Sequence, residues 1–178
     1  MIYVFLADGF EECEALIPVD ILLRAGFNVK TVGVTGKNVK GSHGIEIVTD
    51  ITADEATTDN LECIILPGGM PGTLNLEKSK TVGEFIDYSV NNDILISAIC
   101  AAPSILGHKG LLVNKKATCY DGFEKELTGA ECTQNAVETD GNIITACGVG
   151  AAFEFGFAVL SKLKGGLFTE KIKKQMKY

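Results

Sequence analysis

The chain has 178 residues, which is the usual size of one domain; 46% of them are hydrophobic and 22% are charged. This composition excludes a disordered, collagen-like or coiled-coil protein. The net charge of −7, with no compensating basic patch, argues against a nucleic-acid partner. We therefore expect a single domain over residues 1–178.

The start of the chain is apolar but short. Residues 1–7 have no basic flank and end at Asp8 and Gly9, so they predict a buried strand rather than a signal peptide. No apolar run approaches the ~20 residues that a membrane-spanning helix needs. We therefore expect a cytoplasmic protein with no membrane partner.

Short apolar runs alternate with helical patterns along the chain. The runs predict strands buried on both faces, at Ile2–Ala7, Val29–Val34, Glu62–Pro67, Ile94–Ile99 and Ile143–Ala146. Helices are predicted at Glu11–Ala25, Thr81–Asn91, Pro103–Lys109 and Ala151–Leu163, and a small antiparallel excursion at Val39–Val48. This alternation predicts an α/β fold, a doubly wound sandwich with a mostly parallel central sheet. Ligands bind such sheets at the carboxyl ends of the strands.

One of the six cysteines follows a predicted strand at a turn suited to a nucleophile. Cys100 comes after Ile94–Ile99 and before Pro103, which fits a first helical turn because its missing N–H needs no partner there. A strand–nucleophile–helix turn is the strained elbow of α/β hydrolases, although the Gly-x-Ser-x-Gly pattern is absent. The amides and dipole at a helix N-terminus favour thiolate, so we expect reactivity below neutral pH. The alternative is a core cysteine at a strand end.

Two further segments could complete a site around this cysteine. Gly68 and Gly69 follow a predicted strand, and the amides of Gly69 and Ala101 could form an oxyanion hole. The alternative for the glycines is a tight turn. Glu14 is one of three acids in a first helical turn, where acids also favour the helix dipole. Pro18 cannot donate to the Glu14 carbonyl, so the helix should bend beside this acid.

The other thiols and imidazoles predict neither a metal site nor a catalytic triad. There is no Cys-x-x-Cys pair, so we expect no metal and small buried side chains at the remaining cysteines. His43 is expected to be exposed in the excursion, and His108 to favour the dipole at a helix end. Gly148-Val149-Gly150 lacks the third glycine of a dinucleotide motif and predicts a helix-start turn, so no cofactor is expected.

Four motifs in order carry a resemblance to a known family. They are Asp8-Gly9-Phe10-Glu11-Glu12-Cys13-Glu14, Ile17-Pro18-Val19-Asp20, Leu66-Pro67-Gly68-Gly69 and Ala98-Ile99-Cys100-Ala101-Ala102-Pro103. A fifth segment, Phe153-Glu154-Phe155, fits as well. Together they resemble the ThiJ/PfpI superfamily, and within it the DJ-one group, over nearly the whole chain.

The resemblance implies a flavodoxin-like homodimer with a reactive elbow cysteine. By position, this cysteine is Cys100 and the acid hydrogen-bonded to it is Glu14. The neighbouring backbone amides are those of Gly69 and Ala101. Arg24 matches a dimer-interface arginine of the family.

The sequence also departs from the family pattern at three positions around the expected pocket. Ala101 occupies the place of a histidine found in protease-type members. Tyr120 aligns with a downstream histidine, and His43 aligns with an arginine of the excursion. These departures argue against peptidase activity and leave any acid–base role to Glu14.

Two functions follow from the resemblance. The glyoxalase and deglycase members imply an enzyme that acts on a reactive dicarbonyl, an aldehyde or a glycated protein, without a cofactor. In it Cys100 is the nucleophile and Glu14 carries protons. The alternative is a redox sensor or chaperone in which Cys100 is oxidised to sulfinate, and an intracellular cysteine peptidase is a third reading. The same Cys–Glu pair serves the first two, so the sequence leaves both open.

Overall fold

A seven-stranded sheet forms the centre of the computed structural model, which describes residues 1–178. The strands, numbered in chain order, are β1 (Ile2–Leu6), β2 (Val29–Gly33), β3 (Asn38–Lys40), β4 (Glu46–Val48), β5 (Ile51–Thr52), β6 (Cys63–Leu66), β7 (Leu95–Ile99), β8 (Lys116–Ala117), β9 (Glu131–Cys132), β10 (Val137–Asp140) and β11 (Ile143–Ala146). The sheet order is β10-β11-β7-β6-β1-β2-β5, and every pair is parallel except β10–β11. β3–β4 and β8–β9 form separate two-stranded sheets.

Six helices cover the sheet. They are α1 (Glu12–Arg24), α2 (Gly72–Lys78), α3 (Lys80–Asn91), α4 (Pro103–His108), α5 (Ala152–Lys164) and α6 (Gly166–Met176). None of them has the length and apolar character that crossing a membrane requires.

The alternation of side chains along β1 divides the core into two clusters. Ile2, Val4 and Leu6 point toward α1 and α5, whereas Tyr3 and Phe5 point toward α3. All five are buried, because both faces of the sheet are covered. The predicted doubly wound sandwich with a mostly parallel sheet is confirmed.

Helix α1 has a well-defined start and end that fix where its acids lie. The Glu11 side chain caps it by accepting from the Glu14 N–H at 2.7 Å. At the other end Gly26, with φ of 79°, lets the Gly26 and Phe27 N–H groups bond the carbonyls of Leu23 and Leu22. The helix runs through Pro18 as one element, and both Glu12 and Glu14 are buried.

The predicted strands and helices all occur, with ends shifted by at most one residue. The excursion is the β3–β4 hairpin, and a last helix, α6, carries the C-terminal lysines. The structure adds α2, the short pair β8–β9 and the antiparallel edge strand β10. The sequence does contain an indication of β10, because Gly141-Asn142 is a typical two-residue hairpin turn and joins Asp140 to Ile143.

The strand order places a topological switch point at the centre of the sheet. From β1 the chain crosses to β2 on one side and later enters β6 on the other. The chain therefore leaves β1 and β6 toward opposite faces of the sheet, α1 on one and α2 on the other. The two loops meet at the carboxyl edge, where the Glu11 N–H donates to the Gly68 carbonyl at 2.9 Å, and this edge is where ligands bind in such folds. The loop after β7, which contains Cys100, lies at the same edge.

Candidate active site

Cys100 stands in the left-handed backbone region that non-glycine residues seldom adopt. Its φ is 65°, immediately after β7 and before α4. The strained turn is held from both sides, because the Cys100 N–H donates to the Ala146 carbonyl at 2.8 Å and the Cys100 carbonyl accepts from the Tyr120 N–H at 2.9 Å. The predicted elbow is confirmed, and Cys100 is only partly buried.

Glu14 reaches the elbow from the first turn of α1. The residue is 1% exposed, its carboxyl contacts the Cys100 thiol, and Oε2 accepts from the Gly68 N–H at 2.9 Å. Gly68 lies between the two side chains. A Cβ on Gly68 would be 2.6 Å from Cys100 Cβ and 2.7 Å from Glu14 Oε2, so only glycine permits this contact.

Two backbone N–H groups also act on the sulfur. The amides of Gly69 and Ala101 lie close enough to the Cys100 thiol to lower its pKa. Gly69 has φ of 88° and packs so tightly that a Cβ would be 2.5 Å from the Glu11 nitrogen. The structure thus brings together the four residues predicted for the reaction, with two N–H donors near the position where an oxyanion would form.

The electrostatics of the pair differ from the expectation based on helix ends. Burial raises the pKa of Glu14 to about 7. Burial, followed by the charge and hydrogen bond of Glu14, raises the pKa of Cys100, and only the Gly69 and Ala101 amides lower it. The predicted low pKa of Cys100 is therefore wrong, because burial and a nearby carboxylate outweigh the helix end.

Above the Glu14 pKa of about 7, the two groups hold one proton between them. A thiol beside a carboxylate and a thiolate beside a carboxylic acid differ only in the position of that proton, so the pair titrates as a unit. When Glu14 holds the proton it is a donor to sulfur and no longer a repelling charge. Glu14 can therefore accept the thiol proton as the sulfur attacks and return it later.

His43 lies beside the site but its ring bonds Glu12. His43 Nδ1 is 2.9 Å from Glu12 Oε2 and 4.0 Å from Glu11 Oε1, and the imidazole is 71% exposed. Burial alone would raise the pKa of Glu12, but the bonds from His43 and from backbone N–H groups leave it lowered. The hydrogen bond to Glu12 raises the pKa of His43. Glu12 connects the hairpin to α1, and sequence patterns do not single it out because its partners lie 30 positions or more along the chain.

Tyr120 lies next to the elbow on an exposed surface. Its ring packs over Gly148, and both line a shallow groove of about 220 Å³ that also contains Cys147 and Val149. The expected turn at Gly148-Val149-Gly150 is a short 3-10 turn that leads into α5.

The remaining candidates lie apart from the Cys100–Glu14 pair. Arg24 bonds Asp20 at 2.7 Å on the exposed side of α1, so its interface role stays a prediction. His108, at the end of α4, has its two ring nitrogens against the carboxylates of Glu77 and Glu126. Neither histidine bonds Cys100.

The expectation that the other cysteines are buried holds only in part. Cys63 and Cys119 are buried, whereas Cys13 and Cys132 are exposed and Cys147 is partly exposed. In a hydrophobicity pattern, a cysteine is counted as a small apolar residue and is therefore expected to be buried. A two-residue surface strand such as β9 is too short for the sequence to show that its side chains are exposed.

The family model for the DJ-1/PfpI family matches residues 1–162. The chain belongs to the DJ-1/PfpI family. This agrees with the four motifs and with the arrangement of Cys100 and Glu14 at the carboxyl edge of the sheet.

Relatives from this family cover most of the chain. Protein dj-1beta of Drosophila melanogaster is 34% identical over 165 residues, which are 91% of this chain and 88% of the relative. A Caenorhabditis elegans relative named glutathione-independent glyoxalase DJR-1.2 is 32% identical over 157 residues, 87% of this chain and 83% of the relative.

Crystal structures of family members have the same fold. Oxidised Toxoplasma gondii DJ-1 matches with a TM-score of 0.95 and 30% identity, covering 99% of this chain and 97% of that chain. Drosophila melanogaster DJ-1beta matches with a TM-score of 0.93 and 32% identity, covering 98% and 96%.

Proposed function

We propose that this member of the DJ-1/PfpI family is a cofactor-independent enzyme that converts reactive dicarbonyls, or early glycation adducts, into hydroxy acids. The observation that carries the proposal is the buried carboxyl of Glu14 against the thiol of a strained, partly exposed Cys100. A nucleophile, a proton carrier and two N–H donors are the groups that such a reaction needs. The glyoxalase name of the Caenorhabditis elegans relative supports the same chemistry.

The first step forms a carbon–sulfur bond. The Glu14 carboxylate takes the Cys100 proton while the sulfur attacks the aldehyde carbon of methylglyoxal. The aldehyde oxygen gains the electron pair, accepts hydrogen bonds from the Gly69 and Ala101 amides, and then receives the proton from Glu14. The product is a hemithioacetal, and Glu14 is a carboxylate again.

The second step moves hydrogen between the two adjacent carbons. Glu14 removes the proton from the former aldehyde carbon, giving an enediolate, and delivers it to the neighbouring carbon. The hydroxyl proton of the former aldehyde carbon passes to the oxygen of the second carbon. The first carbon is oxidised to a thioester and the second is reduced to an alcohol, so no external oxidant is consumed. Water then hydrolyses the thioester, releasing lactate and the Cys100 thiol.

A redox role for the same cysteine is the second candidate. A protonated Glu14 can donate to the oxygen of a sulfinate on Cys100, which would favour this oxidation state. The solved structure of one relative, Toxoplasma gondii DJ-1, is of an oxidised form. Peptidase activity has no comparable support, because no imidazole bonds the nucleophile.

We infer that the working unit is a homodimer in which the exposed side of α1 contributes to the interface. This side carries Leu23, which is 52% exposed, and the Arg24–Asp20 ion pair. The cytoplasmic location stays a prediction from the sequence.

The covalent intermediate provides a direct experiment. The protein is mixed with excess methylglyoxal, quenched in acid within one turnover and digested for mass mapping. We expect a lactoyl thioester on the peptide containing Cys100 and on no other cysteine peptide. An unmodified Cys100 during rapid lactate formation would overturn the mechanism.

A further inference from the structure

A second concavity, apart from the Cys100–Glu14 pair, is lined by three of the six cysteines. It has a volume of about 460 Å³ and lies between β8, β9 and the end of β11. Its lining residues are Thr118, Cys119, Asp121, Glu124, Cys132, Thr133, Gln134 and Cys147. None of these thiols takes part in the proposed reaction.

The small β8–β9 sheet brings two of the thiols to the concavity. Ala117 of β8 pairs with Cys132 of β9, and paired residues of neighbouring strands point to the same face. Cys119 lies two residues beyond the end of β8, and it belongs to the same buried cluster as Ala117. The Thr133 N–H donates to the Ala117 carbonyl at 2.8 Å, which fixes the register.

The third thiol arrives from the end of β11. The Thr118 N–H donates to Thr145 Oγ1 at 3.0 Å, so this side of β11 faces the end of β8. Cys147, one residue beyond the end of β11, lines the concavity together with Thr118 and Cys119. Its own N–H donates to the Ala136 carbonyl at 3.0 Å, which holds it in place.

The cluster is accessible and surrounded by negative charge. Cys132 is exposed and its Sγ lies 3.6 Å from the Glu124 carbonyl oxygen, whereas Cys119 is only 7% exposed. The carboxylates of Asp121 and Glu124 lie close enough to act on the Cys119 thiol. Thiols select soft ions of the d¹⁰ class, and nearby carboxylates favour a cation.

We propose that Cys119, Cys132 and Cys147 bind one thiophilic metal ion of the Zn²⁺, Cd²⁺ or Cu⁺ class. The three sulfurs are not gathered within 4.8 Å of one another, unlike the donor atoms of Glu11, Glu12 and His43. Binding therefore requires the small cysteine side chains to rotate about their Cα–Cβ bonds. Each thiol releases its proton to solvent as its metal–sulfur bond forms.

A Cd²⁺ titration tests this site independently of the proposed enzyme. The reduced protein carries Cys100→Ala, so the nucleophile cannot bind the metal. We expect one Cd²⁺ per chain by native mass spectrometry, with the charge-transfer absorption of three thiolate ligands. Cys119→Ser, Cys132→Ser and Cys147→Ser should each lower the affinity at least ~10-fold.

Cys13→Ser is the matched control, because Cys13 is another exposed thiol close to carboxylates. It should leave the affinity unchanged. Cys132→Ser is the decisive variant, since its site is exposed and circular dichroism can verify that it folds. No Cd²⁺ binding, binding that survives Cys132→Ser, or binding lost with Cys13→Ser would each overturn the proposal.

Discussion

Glu14 is the residue on which the proposed chemistry depends most, because its carboxyl contacts the nucleophile. Burial keeps its pKa near the pH at which the enzyme would work, which suits a group that must take and return a proton. The Gly68 N–H holds one carboxyl oxygen in place, and the other is free to serve Cys100 and substrate.

Glu14→Gln is expected to separate thiol reactivity from turnover. The amide can still donate to sulfur and removes the charge that raises the Cys100 pKa, so alkylation by iodoacetamide should be retained. It cannot carry protons, so lactate formation from methylglyoxal should fall ~100-fold or more. Both rates are measured at neutral pH on the same preparation.

Glu14→Leu is the control for this experiment, since it removes the donor as well and should lose both activities. Turnover by Glu14→Gln at the wild-type rate would show that another group carries the protons.

The raised pKa of Glu14 also predicts how stability depends on pH. The folded state holds this proton more tightly than the unfolded state, whose pKa is 4.5, so the stabilisation is complete below pH 4.5. This stabilisation decreases as the pH rises toward the folded-state pKa of about 7. The total decrease is about 3 kcal/mol, because each unit of pKa difference corresponds to about 1.4 kcal/mol. The unfolding free energy of wild type minus that of Glu14→Gln, measured by denaturant, should fall by this amount between pH 4 and 8. A difference independent of pH would contradict the assignment.

At the scale of elements, the site depends on the end of β6 lying close to α1 and the elbow. Gly68→Ala would place a Cβ within 2.6 Å of Cys100 Cβ and 2.7 Å of Glu14 Oε2. The added methyl group would push Cys100 and Glu14 apart. We expect turnover to fall ~100-fold, because misplacing catalytic groups by about 1 Å typically has an effect of this size.

Gly83→Ala in α3 is the matched control, because nothing lies within 4 Å of its added Cβ. It should keep full turnover and stabilise the protein by about 1 kcal/mol. Equal rates for the two variants would contradict this account.

Local sequence patterns were sufficient to predict the strands and turns that carry the site residues. Strand β7 followed by Pro103 predicted the elbow, and the glycines after β6 predicted close backbone approach. The pairing of Cys100 with Glu14 came from the family resemblance, since no local pattern connects residues 86 positions apart. The hairpin turn at Gly141-Asn142 could have predicted β10.

The electrostatics could not be predicted in the same way. The helix-end amides adjacent to Cys100 favour the thiolate, but taken alone they give the wrong direction for the Cys100 pKa. Burial and the Glu14 charge arise from tertiary packing, and they are the larger effects. The contact between Glu12 and His43 is long-range for the same reason.

Across the whole molecule, three loops at one edge of the sheet assemble the site, at the switch point where ligands bind in such folds. The fold is shared with structures of DJ-1 family members. The three-cysteine concavity lies apart from the Cys100–Glu14 pair.

The proposed dimer predicts an effect of reversing one charge on α1. Arg24→Glu would break the ion pair with Asp20 and place two like charges in the interface, so we expect the dimer dissociation constant to rise at least ~10-fold. Lys171→Glu makes the same change on the exposed side of α6 and should have no effect. Light scattering over a concentration series gives both values. A wild-type monomer at every concentration, or an equal response of the two variants, would contradict the interface.

Lactate production from methylglyoxal by wild type and by Cys100→Ser is the measurement that tests the central claim most directly. Serine keeps the size of the side chain and the elbow, but its hydroxyl is a far weaker nucleophile than a thiol. We predict cofactor-free lactate formation by wild type and a loss of ~1,000-fold or more in the variant, with an unchanged circular dichroism spectrum. A folded Cys100→Ser protein that forms lactate at the wild-type rate, or a fully reduced wild type that forms none, would contradict the proposed function.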